Sequence, residues 1–186
     1  MAITNSSTLR NALANAFETA VGSNGRFAVY SGTVPANADA SVSGNTVLAA
    51  LVDVDGEFMS AASSGVASLT TQFGSAAIAT GVATFFRWET ASGAASIQQG
   101  LVSEAWTVSK TVVVGQMLSN ATGVRVCSVA GTTASSGTGP TATSGSITDG
   151  TATFTFVQAA PDFTISSTNI TTGQTVNLTA YTQTAS

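Results

Sequence analysis

The N-terminal hydrophobic positions follow the period of an α-helix. They recur four residues apart, with alanines beside them, at Leu9, Leu13, Phe17 and Val21. Ser6, Ser7 or Thr8 can cap the first turn, and Gly22 is placed to end the last turn. The pattern predicts a helix over about residues 7–21 whose narrow apolar face lies on a sheet or on a neighbouring subunit.

From Arg26 onward the pattern changes to the period of two of a β-strand, with Phe27 and Val29 on one face and Ala28 and Tyr30 on the other. The first such run ends at Ser31. Similar runs recur between turn-rich segments at Val47–Val54, Gly65–Phe73, Val82–Glu89 and Ala95–Leu101. Short strands at such spacing are typical of sandwiches and barrels. The sequence therefore predicts an all-β fold, a β-sandwich or barrel with one N-terminal helix.

One strand candidate shows two different faces. Phe86 and Trp88 lie on one face, which we expect to be core, with Trp88 as an anchor. The opposite face of the same strand carries Phe85, Arg87 and Glu89. The alternation thus predicts one buried face and one face outside the core.

The character of the sequence changes between Leu101 and Ala160, where a Thr/Ser/Gly-rich run fills positions 131–145. We therefore expect a base β domain made of residues 1–101 and 160–186, with a small β module inserted at 102–159. In the C-terminal part, positions on both sides of the turn residues 172–174 alternate again. This pattern predicts a β-hairpin over Phe163–Thr182 that completes the base domain.

Charged and reactive side chains are scarce. Five Lys and Arg residues and nine Asp and Glu residues give a formal net charge of −4, and the basic residues are scattered singly. This distribution argues against nucleic acid as a partner. The chain has no histidine and one cysteine, Cys127, which excludes Ser-His and Cys-His nucleophile pairs and a Cys/His zinc site. We interpret Cys127 as a small buried hydrophobe.

No apolar run approaches the ~20 residues that span a bilayer. A membrane is therefore not expected as a partner. The scarcity of charged and reactive side chains, including the absence of histidine, predicts a protein that is not an enzyme and that uses no cofactor.

Three carboxylates alternate along one strand end, at Asp53, Asp55 and Glu57. They share one face and could chelate a hard cation such as Ca²⁺ through oxygen ligands. The simpler interpretation is a solvated strand end, because their order does not meet the spacing of an EF-hand loop. We therefore predict no metal site here.

Four short groups of residues lie in the outer parts of the chain, roughly 1–101 and 160–186. They are Leu9-Arg10-Asn11-Ala12, Tyr30-Ser31-Gly32 followed by Pro35-Ala36-Asn37-Ala38, Phe85-Phe86-Arg87-Trp88 with Gly93, and Asp162-Phe163-Thr164-Ile165 with Gly173-Gln174-Thr175-Val176. With these residues the outer parts resemble a family of small virion proteins of tailed bacteriophages. The resemblance implies a structural protein of the virion.

A second set of residues falls between positions 102 and 159. It comprises Ala105-Trp106, Val114-Gly115-Gln116, Val124-Arg125-Val126-Cys127, Ala130-Gly131-Thr132-Thr133, Gly139-Pro140-Thr141 and Ile147-Thr148-Asp149-Gly150-Thr151 with Phe154 and Phe156. This block resembles a small β module of phage structural proteins that is similar to carbohydrate-binding modules of chitinases. The resemblance makes Trp106, Phe154 and Phe156 candidate glycan contacts, whereas a core anchor is the alternative role for Trp106.

These resemblances imply a capsid decoration or cement protein on the virion surface. Its expected partners are the major capsid protein and further copies of itself, in a homo-oligomer such as a trimer. We expect the polar N-terminal segment Ala2, Ile3, Thr4 and Asn5 to act as an arm that contacts the capsid. The alternative is a tail-associated or host-surface carbohydrate-binding protein of the virion, which would contact host glycans.

Overall fold

The structure is a computed structural model and describes residues 5–52 and 58–185. Helix α1 spans Ser7–Val21, as predicted. The Ser6 side chain caps it, because its Oγ accepts a hydrogen bond from the Leu9 N–H at 3.3 Å. Gly22 ends the helix with a φ of 72°, a left-handed conformation that glycine adopts without a Cβ clash.

The apolar face of α1 is only partly covered. Ala14, Phe17 and Val21 are buried, whereas Leu9 and Leu13 are 47% and 50% exposed. The C-terminal half of the helix therefore packs on the body of the protein, and the N-terminal half presents leucines to the surface.

The rest of the described chain is dominated by short strands. They are β1 (Arg26–Ser31), β2 (Thr46–Val52), β3 (Val66–Ser68), β4 (Phe73–Ala76), β5 (Gly81–Glu89), β6 (Ser96–Ala105), β7 (Thr111–Val112), β8 (Met117–Asn120), β9 (Gly123–Val129), β10 (Gly131–Thr132), β11 (Ser146–Asp149), β12 (Ala152–Gln158), β13 (Phe163–Ile165), β14 (Asn169–Ile170), β15 (Thr175–Leu178) and β16 (Thr182–Thr184). A 3₁₀ turn at Ala91–Gly93 connects β5 to β6. The predicted all-β, sandwich-like fold with one N-terminal helix is confirmed.

Ten strands form one mixed sheet, and β6 lies at its centre. The order is β11-β12-β9-β8-β6-β5-β1-β2, with β13 also paired to β6 and β14 to β5. Strand β6 pairs antiparallel with β5 as far as Leu101 and then parallel with β8 at Glu104 and Ala105. Strands β8, β9, β12 and β11 of the 102–159 segment thus continue the same sheet through β6, whereas β7 and β10 form a separate two-stranded sheet. The division into a base domain and an inserted module stays a prediction.

The predicted C-terminal hairpin is wrong. Strands β13, β14, β15 and β16 do not pair with one another. They pair with β6, β5, β4 and β3, respectively. Alternation identified extended segments correctly, but their hydrogen-bonding partners lie far earlier in the chain, on the edges of β6, β5, β4 and β3. The C-terminal segment therefore runs along four earlier strands.

Trp88 is at the centre of the main hydrophobic core. It is fully buried and packs on Phe17 of α1, on Phe27 of β1 and on Phe58. The Phe58 ring lies nearly parallel to the indole, with ring centroids 4.7 Å apart. The expected core role of Trp88 is confirmed.

The opposite face of β5 is also buried, which the alternation did not predict. Tyr30 and Phe85 stack there with ring centroids 4.9 Å apart, beneath the segment that carries Val34 and Val42. Arg87 is 4% exposed, because the loop before β2 folds over it. Its guanidinium donates to the Gln99 side chain and to the carbonyls of Asn37 and Ala40.

Glu89 is buried on this second face as well, at 3% exposure. Its carboxylate accepts from Arg26 Nε and from the Tyr30 hydroxyl, each at 2.7 Å. A buried carboxylate with two such donors is satisfied, so it is tolerated inside the protein.

The two tyrosines of the chain, Tyr30 and Tyr181, offer a test of this packing. Burial raises the pKa of each phenol from its ordinary value of 10.0 to about 12, and the hydrogen bond to Glu89 adds to the rise for Tyr30. Neutral tyrosine thus stabilises the fold fully below pH 10, and this contribution is lost as the pH rises through about 12.

We expect little tyrosinate absorbance from the folded protein at about pH 10, where the unfolded chain is half ionised. An ultraviolet pH titration of the native protein and of the protein in concentrated urea measures this difference. Native and unfolded titration curves that coincide would contradict the burial of both phenols.

A smaller core lies within the 102–159 segment. Its buried residues are Val112, Leu118, Cys127, Ala152 and Phe154, with Trp106 and Ile147 packed against them. Cys127 is 1% exposed, and burial raises the pKa of its thiol. Its interpretation as a buried hydrophobe is confirmed.

Candidate functional site

The three aromatic residues predicted as glycan contacts occupy different environments. Phe154 is 1% exposed and belongs to the small core, so its ring has no surface for a ligand. Trp106 and Phe156 are half-buried. The prediction of a glycan contact is therefore left with Trp106 and Phe156.

Trp106 is held in place on several sides. Its indole Nε1 donates to Asp149 Oδ2 at 2.9 Å, and Gly139 lies so close to the ring that a Cβ there would come within 2.8 Å of it. The cavity beside the indole, bordered also by Pro140, holds about 10 Å³. Ligand pockets are typically ~300 Å³ or more, so this cavity cannot take a sugar ring. These contacts are those of a core anchor.

Phe156 covers Arg125, whose guanidinium carbon lies 5.7 Å from the ring centroid. Arg125 is 2% exposed, and burial lowers its pKa. It donates to the side chains of Asn120 and Thr122 and to the Ala142 carbonyl. Arg125 thereby fixes the loop between β10 and β11 onto β9, and one side of the Phe156 ring is occupied by this cation.

The predicted arm and the predicted carboxylate cluster fall largely outside the described residues. Ala2, Ile3 and Thr4 are not described, and neither are Asp53, Asp55 and Glu57. Asn5 is exposed, directly before the residue that caps α1. Within 5–52 and 58–185, no group of three or more acidic, Cys or His side chains is arranged to hold a metal ion.

A buried polar cluster around Glu104 was not predicted from the sequence. Glu104 Oε1 lies 2.5 Å from Lys110 Nζ, and Oε2 accepts from Gln116 Nε2 at 3.2 Å. The same Oε2 also accepts from the N–H of Thr168 at 3.0 Å and from its hydroxyl at 3.3 Å. We call Glu104, Lys110, Gln116 and Thr168 the Glu104 cluster. It joins β6 and the 102–159 segment to the C-terminal segment.

One sequence signal could have located this cluster. Glu104 follows the core residue Val102 at strand spacing, so alternation places the carboxylate on a buried face. A carboxylate there needs partners, but the sequence does not say that Thr168 supplies two of them.

Most charged side chains of the described residues are buried or half-buried. Arg87, Glu89, Glu104 and Arg125 are buried, and Arg10, Glu18, Arg26, Lys110 and Asp149 are half-buried. Asp39 and Asp162 are the two exposed charged residues in the described part of the chain. Asp162 still accepts a hydrogen bond from the Leu101 N–H.

The described surface carries aliphatic side chains instead. Those with large exposed fractions are Leu9, Leu13, Val52, Val66, Ile78, Val108, Val113, Val114, Val129 and Val157. The candidate functional feature is therefore the surface formed by residues 5–52 and 58–185, which exposes two charged residues and many aliphatic groups.

Comparisons with protein-family models, with curated proteins and with solved structures found no match to this chain. Among the described residues, no helix has both the length and the apolar character needed to cross a bilayer.

Proposed function

We propose that this chain is a non-enzymatic structural protein of a phage virion. In this proposal it decorates or cements the capsid by binding the lattice of the major capsid protein as an oligomer. The observation that carries the proposal is the surface with few charges and exposed aliphatic groups. The residue groups that resemble tailed-phage virion proteins supply the virion context.

The physical argument concerns desolvation. Charged residues make up 8% of the chain, compared with about 25% in typical soluble domains. Covering a charge with a protein partner costs free energy unless the charge is paired, whereas covering an aliphatic group is favourable. Here most described charges are already paired or covered within the chain. A surface of this kind suits permanent contact with identical neighbours and a shell.

Self-association strengthens such an attachment. A homo-oligomer, for instance a trimer, presents the same patch several times to a symmetric lattice. Once one contact is made, the others form at high effective concentration, so weak contacts become durable together. Bound copies stabilise the assembled lattice because they bind it in preference to its separated subunits.

The direct test is immunogold labelling of intact particles with an antibody against this chain, viewed by negative-stain electron microscopy. Gold distributed over the heads is the expected result. Gold confined to the tail would overturn the capsid proposal and favour the tail-associated, host-contact alternative. Unlabelled particles, with the chain also missing from purified virions by mass spectrometry, would overturn a virion role altogether.

The arm hypothesis makes a further prediction. Deleting residues 1–5 preserves Ser6, the cap of α1, so the helix is expected to form normally. We expect the shortened chain to lose binding to capsids that lack the native protein, because its arm contacts are gone. Co-sedimentation with such capsids measures the occupancy.

A matched variant replaces residues 2–5 with a Gly-Ser sequence of equal length. We expect this variant to lose capsid binding as well, because it keeps the length of the arm but not its side chains. Full occupancy of both variants would reject the arm.

A further inference from the structure

Lys110 is the only lysine of the chain, and its Nζ and the buried Gln116 carboxamide both donate to the carboxylate of Glu104. We propose that Lys110 and Gln116 become joined by an intramolecular amide bond between Lys110 Nζ and Gln116 Cδ, with Glu104 as the proton carrier. The structure shows the side chains as they lie before this reaction.

Glu104 is placed between the two groups that must exchange a proton. One carboxylate oxygen, Oε1, lies 2.5 Å from Nζ, which is the nucleophile. The other oxygen, Oε2, accepts from Gln116 Nε2 at 3.2 Å, and this amide nitrogen is the leaving group. A single carboxylate can therefore take a proton from the amine and deliver one to the departing nitrogen.

The Gln116 side chain is held in the way an electrophile requires. Its Oε1 accepts a hydrogen bond from the Val113 N–H at 3.2 Å, and this donor stabilises the negative charge that grows on the oxygen during attack. Gln116 is 0% exposed, so bulk water is kept from the carboxamide. The nearby Thr168 N–H and hydroxyl donate to Glu104 Oε2 and hold the carboxylate in position.

The reaction balances without any added reagent. Lys110 passes one proton from its ammonium group to Glu104, and the neutral Nζ attacks Gln116 Cδ to form the C–N bond. Glu104 passes this first proton to Nε2 of the tetrahedral adduct and takes the second proton from Nζ as the C–Nε2 bond breaks. The departing ammonia takes that second proton from Glu104 and leaves as an ammonium ion, so Glu104 ends as the carboxylate it began as and the positive charge of Lys110 leaves with the ammonium. No atom is oxidised or reduced.

The amide bond closes a covalent ring between Lys110, directly before β7, and Gln116, directly before β8. This covalent link holds the Val113–Gly115 turn in the same geometry whether or not the surrounding hydrogen bonds are intact.

Trypsin provides the test, because it cleaves after a lysine only when the side-chain amine is free. We expect a digest of the denatured protein to give one fragment, 88–125, lighter than its sequence mass by about 17 Da, the mass of ammonia. Separate 88–110 and 111–125 fragments at their sequence masses would overturn the proposal. A deficit of about 18 Da would place the amide on Glu104 by loss of water and would overturn Gln116 as the electrophile.

Two variants serve as controls. Lys110→Arg keeps a cation beside Glu104 but has no primary amine, so the chain should be cut at position 110 and show no mass deficit. Glu104→Gln removes the proton carrier and should restore cleavage after Lys110. A mass deficit that persists in Lys110→Arg would show that the amide lies elsewhere and overturn the proposal. The digest of the unaltered chain decides the question even if a variant folds poorly.

Discussion

Replacing Trp88 with alanine is expected to lower the free energy of unfolding by about 3–5 kcal/mol. The indole is fully buried and contacts rings from α1, from β1 and from the C-terminal segment, including Tyr181 at a centroid distance of 5.3 Å. Truncation would leave a cavity that these separate elements cannot all move to fill. Urea denaturation followed by circular dichroism measures the loss.

Leu13→Ala is a matched control in the same core-packed helix. Leu13 is 50% exposed, so its truncation should change the free energy of unfolding by less than about 0.5 kcal/mol. If Trp88→Ala cost no more than Leu13→Ala, the aromatic cluster could not be the core that holds the helix to the sheet.

Replacing Glu104 with alanine is expected to cost about 3–5 kcal/mol as well. The substitution removes the acceptor shared by Lys110, Gln116 and Thr168, and it leaves the buried donors of Gln116 and Thr168 without a partner. The same denaturation experiment measures the change.

Asp39→Ala is the control for loss of a carboxylate, because Asp39 is exposed. Its effect should stay within about 0.5 kcal/mol. Equal effects of the two substitutions would mean that the Glu104 cluster contributes nothing to the stability of the fold.

The parts of the fold that could be predicted from the sequence are those decided locally. Helix α1 was predicted from the spacing of Leu9, Leu13, Phe17 and Val21 and from its capping residues, and the structure gives the same bounds. Strands β1 and β5 were located by alternation because Phe27, Phe86 and Trp88 must reach one core. Periodicity indicates which face of an element is apolar. The positions of α1, β1 and β5 could be predicted from this information alone.

The pairing of the C-terminal strands could not be predicted in this way. The alternation around Val176 and Leu178 is equally compatible with a hairpin partner and with β4, which is the partner observed. Register between segments distant in sequence depends on which edges the rest of the fold leaves open, and one sequence carries no such information.

The candidate site was also only partly predictable. Residue type marked Trp106 and Phe154 as candidate contacts, but the structure uses Phe154 as core and fixes Trp106 through Asp149. Arg87 and Glu89 were placed outside the core because alternation says nothing of the loop that folds over Arg87 or of the Arg26 and Tyr30 side chains that pair with Glu89. Burial of charge is a tertiary property, and the small number of exposed charges among the described residues follows from it.

The long-range pairing of β13–β16 has a consequence for protein synthesis. A ribosome releases β3, β4, β5 and β6 well before the strands that pair with them emerge, so those earlier edges stay open during translation. Thr168, which anchors Glu104, is likewise supplied late. A nascent chain interrupted before residue 163 lacks both the strands and this anchor. The fold can therefore be completed only after translation has passed this point.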